Sequence, residues 1–127
     1  MAHGEAEAGA LSAFPSVLID DGIFKYVLIK AIDPTTRQTS LLVRGLLGAP
    51  YHKDAARPTL EALTAKGLQY EVLGGGRIEH APAEGTILIY GHSMGFPWRG
   101  EPMHNVTASL CEKQYPAYKV EWHEGGY

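Results

Sequence analysis

The stretch Leu73-Gly74-Gly75-Gly76-Arg77 is followed, after a short polar turn, by Ile87-Leu88-Ile89-Tyr90-Gly91-His92-Ser93-Met94. Three consecutive glycines interrupt a strand-like pattern, and glycine loses more backbone freedom on folding than any other residue. A β-bulge, or backbone amides that approach a ligand closely, would explain them. Arg77 adds a cation, and a cation beside exposed N–H groups suits a bound phosphate. Together with His52 at a predicted helix start, the pattern suggests phosphoryl chemistry.

The order of predicted elements indicates an α+β fold. The predicted strands are 17–19, 23–32, 39–44, 69–73 with 78–80, 86–93 and 118–122, and the predicted helices lie within 52–66 and at 107–114. Apolar residues on both faces of 23–32 indicate a central strand. We expect a single domain with a mixed, mostly antiparallel sheet of about six strands, on which two helices pack.

Turn and cap signals add local detail to this fold. Asp20-Asp21-Gly22 predicts a tight hairpin between the first two strands. Pro58 lies inside the first predicted helix, so we expect either a separate turn at 52–57 or a kinked helix. Gly67 followed by Leu68 fits a helix C-cap with its apolar contact.

Length and composition limit the possible classes of protein. A chain of 127 residues supports one domain, and a net charge of −3 argues against nucleic acid as the main partner. No apolar run approaches the roughly 20 residues of a membrane span. The lone Cys111 excludes an internal disulfide and a cysteine-based zinc site. No signal-peptide pattern is present, so we expect a cytoplasmic protein. We also expect the protein to be a monomer. Residues 1–16 are expected to form a flexible segment before a domain at 17–127.

Several further motifs occur in order along the chain. They are Asp21-Gly22-Ile23-Phe24-Lys25-Tyr26-Val27-Leu28-Ile29, Val43-Arg44-Gly45, Tyr51-His52-x-Asp54, Leu73-Gly74-Gly75-Gly76-Arg77-Ile78, Tyr90-Gly91-x-Ser93-Met94, Tyr115-Pro116-x-Tyr118 and the final Gly126-Tyr127. Together they resemble the small phosphohistidine phosphatases of the Janus/Ocnus family, from about residue 17 to the C-terminus. A lone glycine-rich turn would be weak evidence, whereas an ordered set at consistent spacing is specific.

The resemblance implies a metal-independent hydrolase, without a cofactor, that removes phosphate from phosphohistidine in proteins. The implied partners are therefore phosphohistidine-containing proteins and phosphate. The implied site consists of a catalytic histidine, His52, and of substrate-binding or nearby residues Lys25, Arg44, Arg77, Ser93, Met94 and Gly95.

The position of His52 is compatible with catalysis on physical grounds. At a helix N-terminus the macrodipole disfavours imidazolium, so the ring is expected to be neutral at physiological pH. A neutral imidazole can accept a proton from water or attack phosphorus itself. The sequence leaves both routes open.

The candidate cations each have a structural alternative. Lys25 can contact phosphate, or it can rest its stem on the core and extend its ammonium into water. Arg77 suits planar bidentate binding of a phosphate, although it can also pair with Glu79 or Asp54. Arg44 ends a strand, where an ion pair with an acidic side chain would explain it equally well.

Three features depart from the family's pattern. They are Pro58, a long loop at 95–103, and Gly95 where alanine is expected. The first two can alter the shape of the pocket and the preference for protein substrates. Residues 93–95 can present N–H groups to an anion, or they can be an ordinary strand end.

Other kinds of site and function have less support in the sequence. His80, His92 and His104 can be considered as zinc ligands, but no short His-x-x-x-His spacing or cysteine pair organises them, so no metal site is expected. A phosphate-dependent binding module without turnover is one alternative. A developmental interaction protein with the same fold is another.

Overall fold

The computed structural model describes residues 9–124 and confirms a single α+β domain. Its strands are β1 (Val17–Ile19), β2 (Gly22–Ile32), β3 (Thr39–Leu46), β4 (Gln69–Ala81), β5 (Thr86–Tyr90) and β6 (Lys119–Trp122). Its two longer helices are α1 (His52–Ala65) and α2 (His104–Gln114), and residues 9–12 form a helical turn. The elements agree with the predicted order, and most differences are shifts of one to three residues at their ends.

The six strands form one mixed sheet in the order β1-β3-β2-β4-β5-β6. The β3–β2, β2–β4 and β4–β5 pairs are antiparallel, whereas β1–β3 and β5–β6 are parallel. The predicted hairpin at Asp20-Asp21-Gly22 is therefore wrong, because β1 pairs with β3 and not with β2. This segment instead carries the chain from the edge of the sheet to its centre.

Side chains alternate along β2 and fill a core on each face of the sheet. On one face, Tyr26 and Leu28 belong to a cluster with Cys111 of α2, whose thiol has its pKa raised to about 12 by burial. On the other face, Val27 and Ile29 belong to a cluster beneath α1. The predicted central strand with apolar residues on both faces is confirmed.

Strand β4 runs through the three glycines without a break, so the two predicted strand pieces are one. Its register against β2 shifts at the Leu28–Ile29 step, which confirms a bulge beside the glycines. A Cβ atom at Gly74 would clash with the indole of Trp98, and one at Gly76 would clash with the carbonyl oxygen of Tyr90. The glycines therefore allow close packing, and an anion-binding role for their backbone amides stays a prediction.

Helix α1 is continuous through Pro58, so it is not divided after residue 57. Its C-terminus confirms the predicted cap. Gly67 has φ of +73°, and the N–H of Leu68 donates to the carbonyl oxygen of Leu63 at 2.9 Å. Those features form a Schellman motif, which satisfies carbonyl groups left over at the end of a helix.

The packed part of the chain begins upstream of the predicted boundary at residue 17. Leu11 is buried and packs in the cluster beneath α1. The packed domain therefore extends upstream of residue 17 to include Leu11, and residues 1–8 of the predicted flexible segment lie outside the described part of the chain. None of the helices in residues 9–124 is long and apolar enough to cross a membrane.

Candidate active site

A pocket of about 630 Å³ lies beside the N-terminus of α1. It is lined by Lys25 of β2, by residues 50–53 at the start of α1, and by residues 93–96 after β5. We call it the His52 pocket. It brings together four of the residues implicated from the sequence in substrate binding and the proposed catalytic histidine: Lys25, His52, Ser93, Met94 and Gly95.

His52 is the first residue of α1, and its ring packs against β4. The Nε2–H of His52 donates to the carbonyl oxygen of Gly76 at 2.9 Å. Because a carbonyl oxygen can only accept, Nε2 carries the proton and Nδ1 keeps the lone pair. The ring fits there because the neighbouring residue is Gly75, at which a Cβ would lie 3.0 Å from Cδ2 of His52.

The environment of His52 favours the neutral imidazole. Burial is the main cause that lowers its pKa below 6.5, and the positive charges of Lys25 and Arg77 lower it further. The hydrogen bond to Gly76 acts in the opposite direction and is outweighed. This direction agrees with the neutral ring that the sequence predicts, and burial is its largest cause.

Lys25 and Arg77 are direct cross-strand partners on β2 and β4. Lys25 shares the α1 face of β2 with Val27, because residues two apart on a strand lie on the same face. Both side chains are half-buried and close enough to His52 to lower its pKa. Two cations thus stand next to a histidine with an available lone pair, as an anionic substrate requires.

The segment after β5 forms the opposite wall of the pocket. Ser93 is almost fully buried, and its Oγ accepts a hydrogen bond from the N–H of Phe96 at 3.1 Å. Met94 is 90% exposed, so its side chain stands at the rim. A Cβ at Gly95 would have nothing within 4 Å, so the alanine expected there would also fit.

Arg44 does not line the His52 pocket. Its guanidinium is buried beneath α1 and donates to Oγ1 of Thr59, two turns along the helix from His52. Arg44 is the cross-strand partner of Val27, whereas Lys25 pairs with Leu46 nearer the pocket. The implied position of Arg44 beside the substrate is therefore corrected, because its place on β3 puts it under the middle of the helix.

The three histidines considered for zinc do not converge. Nδ1–H of His80 donates to the carbonyl oxygen of Asp20, while His104 bonds to Gly91 and to the hydroxyl of Tyr26. Residues 9–124 contain no group of three or more His, Cys, Asp or Glu side chains arranged for a metal ion. The zinc alternative therefore has no support within the described chain.

Other residues of the site were not predicted from the sequence. Tyr51, Lys53 and Phe96 also line the pocket, and the ammonium of Lys53 lies 5.6 Å from the ring centroid of Tyr51. Tyr51 and Lys53 flank His52 in the sequence, and this position could have indicated that they line the pocket. The carbonyl of Gly76 was missed because a backbone acceptor leaves no trace in the residue type.

A comparison with known protein families agrees with the resemblance seen in the sequence. The sequence profile of the Janus/Ocnus family matches residues 11–119. The chain belongs to the Janus/Ocnus family. The match begins at Leu11, which is buried in the cluster beneath α1.

Relatives with two different names are similar to this chain along most of their length. A 14 kDa phosphohistidine phosphatase from Sus scrofa is 38% identical, over 96% of this chain and 99% of the relative. Its counterpart of the same name from Homo sapiens is 35% identical, over 92% and 96%. The sex-regulated protein janus-A from Drosophila yakuba is 39% identical, over 93% of this chain and 85% of the relative.

Proposed function

We propose that this protein is a phosphohistidine phosphatase that hydrolyses the P–N bond of phosphohistidine in other proteins. The observation that carries the proposal is the neutral His52, with its proton held on Nε2 by Gly76, at the wall of a pocket that also contains Lys25. The names of the pig and human relatives supply the substrate class.

In this proposal, Nδ1 of His52 performs the chemistry. As a general base it takes a proton from water while the water oxygen bonds to phosphorus and the P–N bond breaks. The imidazole of the substrate leaves with a proton that solvent supplies to the nitrogen that held phosphorus, and His52 afterwards returns its own extra proton to solvent. In the alternative route, Nδ1 attacks phosphorus directly, and water then releases phosphate from His52. Both routes use the same lone pair.

The cations and the 93–95 segment hold the phosphoryl oxygens in the proposed complex. Phosphoryl transfer commonly has a loose transition state with charge spread over those oxygens, so electrostatics and positioning dominate catalysis. Lys25 and Arg77 supply positive charge, and Ser93 to Gly95 supply the facing wall. Arg44 is left out of this set because it lines a different cavity.

The proposal includes hydrolysis without a metal ion by a cytoplasmic monomer. For metal independence, the support is that Lys25 and Arg77 already provide the positive charge that a metal would otherwise supply at the phosphoryl group. Size-exclusion chromatography of the purified protein tests whether it is a monomer.

Incubation with a phosphohistidine-bearing protein tests the function. We expect release of inorganic phosphate that continues after prolonged treatment with EDTA, whereas a phosphoserine-bearing protein serves as the control for P–O cleavage. Saturable binding of the phosphohistidine protein with no phosphate released would instead show a binding module. Activity lost with EDTA and restored by zinc or magnesium would overturn the metal-independent mechanism.

A further inference from the structure

A second cavity, of about 270 Å³, lies between the β1–β3 edge of the sheet and helix α1. It is lined mainly by apolar groups, with Arg44, Asp20 and Thr59 as its polar residues. The lining residues are Leu18, Ile19, Asp20, Arg44, Gly45, Leu46, Ala55, Pro58 and Thr59. None of them lines the His52 pocket, so we call this separate space the Arg44 cavity.

Arg44 is only 4% exposed, yet it has no acidic partner in residues 9–124. Its Nε donates to Oγ1 of Thr59, and its Nη1 donates to the carbonyl oxygen of Val43, both at 2.9 Å. Both acceptors are neutral, and Nη2 bonds to neither. Burial lowers the pKa of Arg44 to about 10, so the guanidinium is still charged at neutral pH.

A buried charge without a counterion is costly, and a ligand that supplied the counterion would be bound strongly for its size. A guanidinium presents paired N–H groups that match the two oxygens of a carboxylate. We propose that the Arg44 cavity binds a small molecule or chain end that carries one carboxylate on a short apolar body. The carboxylate meets the Nη atoms of Arg44, and the apolar part lies against Leu18, Leu46 and Ala55.

The lining favours a monoanion over a phosphate. Arg44 supplies one positive charge, whereas a phosphate at neutral pH carries more than one negative charge. Asp20 adds a further carboxylate to the lining, with its Oδ2 accepting from the N–H of Leu47 at 2.7 Å. The remaining walls are largely hydrocarbon, which suits an aliphatic body. The cavity volume of about 270 Å³ leaves room for a short aliphatic acid.

Hexanoate is the probe, and a ¹H–¹⁵N NMR titration of the whole chain is the test. We expect saturable shifts at the amides of Gly45, Leu46 and Thr59, with no shifts at Ser93 or Gly95. Hexan-1-ol and inorganic phosphate are the controls, and each is expected to leave these amides unchanged at the same concentration. Hexanoate that binds no better than hexan-1-ol, that binds at His52, or that does not bind at all would overturn the proposal.

Three variants separate an effect of charge on binding from an effect on folding. Arg44→Gln should weaken hexanoate binding at least tenfold. Should this variant fail to fold, Leu18→Asp and Leu18→Asn provide the comparison, because Leu18 is 58% exposed and tolerates a polar side chain. The aspartate should weaken binding several-fold more than the isosteric asparagine, and equal affinities would contradict a carboxylate site. This inference does not depend on the proposed phosphatase activity, since none of the residues that line the Arg44 cavity also lines the His52 pocket.

Discussion

The hydrogen bond from Nε2 of His52 to the carbonyl oxygen of Gly76 determines which ring nitrogen is available for chemistry. The same surroundings determine the charge of the ring, because burial, Lys25 and Arg77 all lower its pKa. The pKa of His52 therefore lies below the ordinary value for a histidine.

This property gives a pH dependence for kcat/KM. A histidine in an unfolded peptide has a pKa of about 6.5, and the folded value for His52 is lower. The active neutral form thus persists as pH falls through 6.5, and activity is expected to decline only below that value. A pH–rate profile measures this decline in activity, and NMR signals of the His52 ring follow its protonation over the same pH range. An acidic limb centred above 6.5 would contradict the assignment.

Two glycines near the site are expected to respond in opposite ways to alanine. A Cβ at Gly75 would lie 2.6 Å from the carbonyl oxygen of Tyr26 and 3.0 Å from the ring of His52, whereas at Gly95 it would meet nothing within 4 Å. Gly75→Ala should cost about 1–3 kcal/mol of stability and displace His52. Gly95→Ala should be neutral or stabilise by about 0.4–1 kcal/mol.

Urea unfolding and phosphatase assays of the two variants test that contrast. Loss of activity in Gly75→Ala at temperatures where the variant is folded would show that His52 needs the space. Equal stabilities for the two variants would show that the ring does not pack on Gly75 as described.

Helix α1 is the element that links the fold to the site, since it begins at His52 and ends in a Schellman motif. Its C-cap was predictable because Gly67 and Leu68 are a local signal. Its continuity through Pro58 was not predictable, because a proline inside a helix loses one hydrogen bond and only packing against the sheet can compensate for that loss.

Pro58→Ala is therefore expected to stabilise the protein. Alanine restores an N–H that can donate to the carbonyl of Asp54, and the gain should be about 2 kcal/mol after the greater freedom of the unfolded chain is subtracted. Urea unfolding measures it, with Glu61→Ala at an exposed position of the same helix as a control. A destabilised Pro58→Ala variant would show that the proline ring packs favourably beside the Arg44 cavity.

Over the whole molecule, the sequence predicted the pieces of the sheet better than their arrangement. The alternation along β2 correctly placed apolar residues on two faces, because that pattern is local. The parallel pairing of β1 with β3 depends on contacts far apart in sequence, so Asp20-Asp21-Gly22 was misread as a hairpin. Arg44 was placed with the substrate by the family resemblance alone, and its position under α1 depends on the register of β3, which the sequence does not reveal.

The site itself is assembled from β2, β4, α1 and the segment after β5, and the cations on the two strands act on substrate charge. Lys25→Ala and Arg77→Ala should each raise KM about tenfold or more, with a smaller fall in kcat, because part of the phosphoryl charge is already present in the bound substrate. Lys30→Ala, elsewhere on β2, is the matched control. Steady-state kinetics that show a fall in kcat alone would contradict a binding role.

The most direct test of the account is the rate of phosphohistidine hydrolysis by His52→Ala. We expect a fall of about 100-fold or more in kcat, the scale of lost acid–base catalysis, with inorganic phosphate still bound because other residues hold it. His123→Ala, an exposed histidine outside the pocket, should retain normal turnover. A correctly folded His52→Ala variant with a near-normal rate would remove His52 from the mechanism and contradict the proposed site.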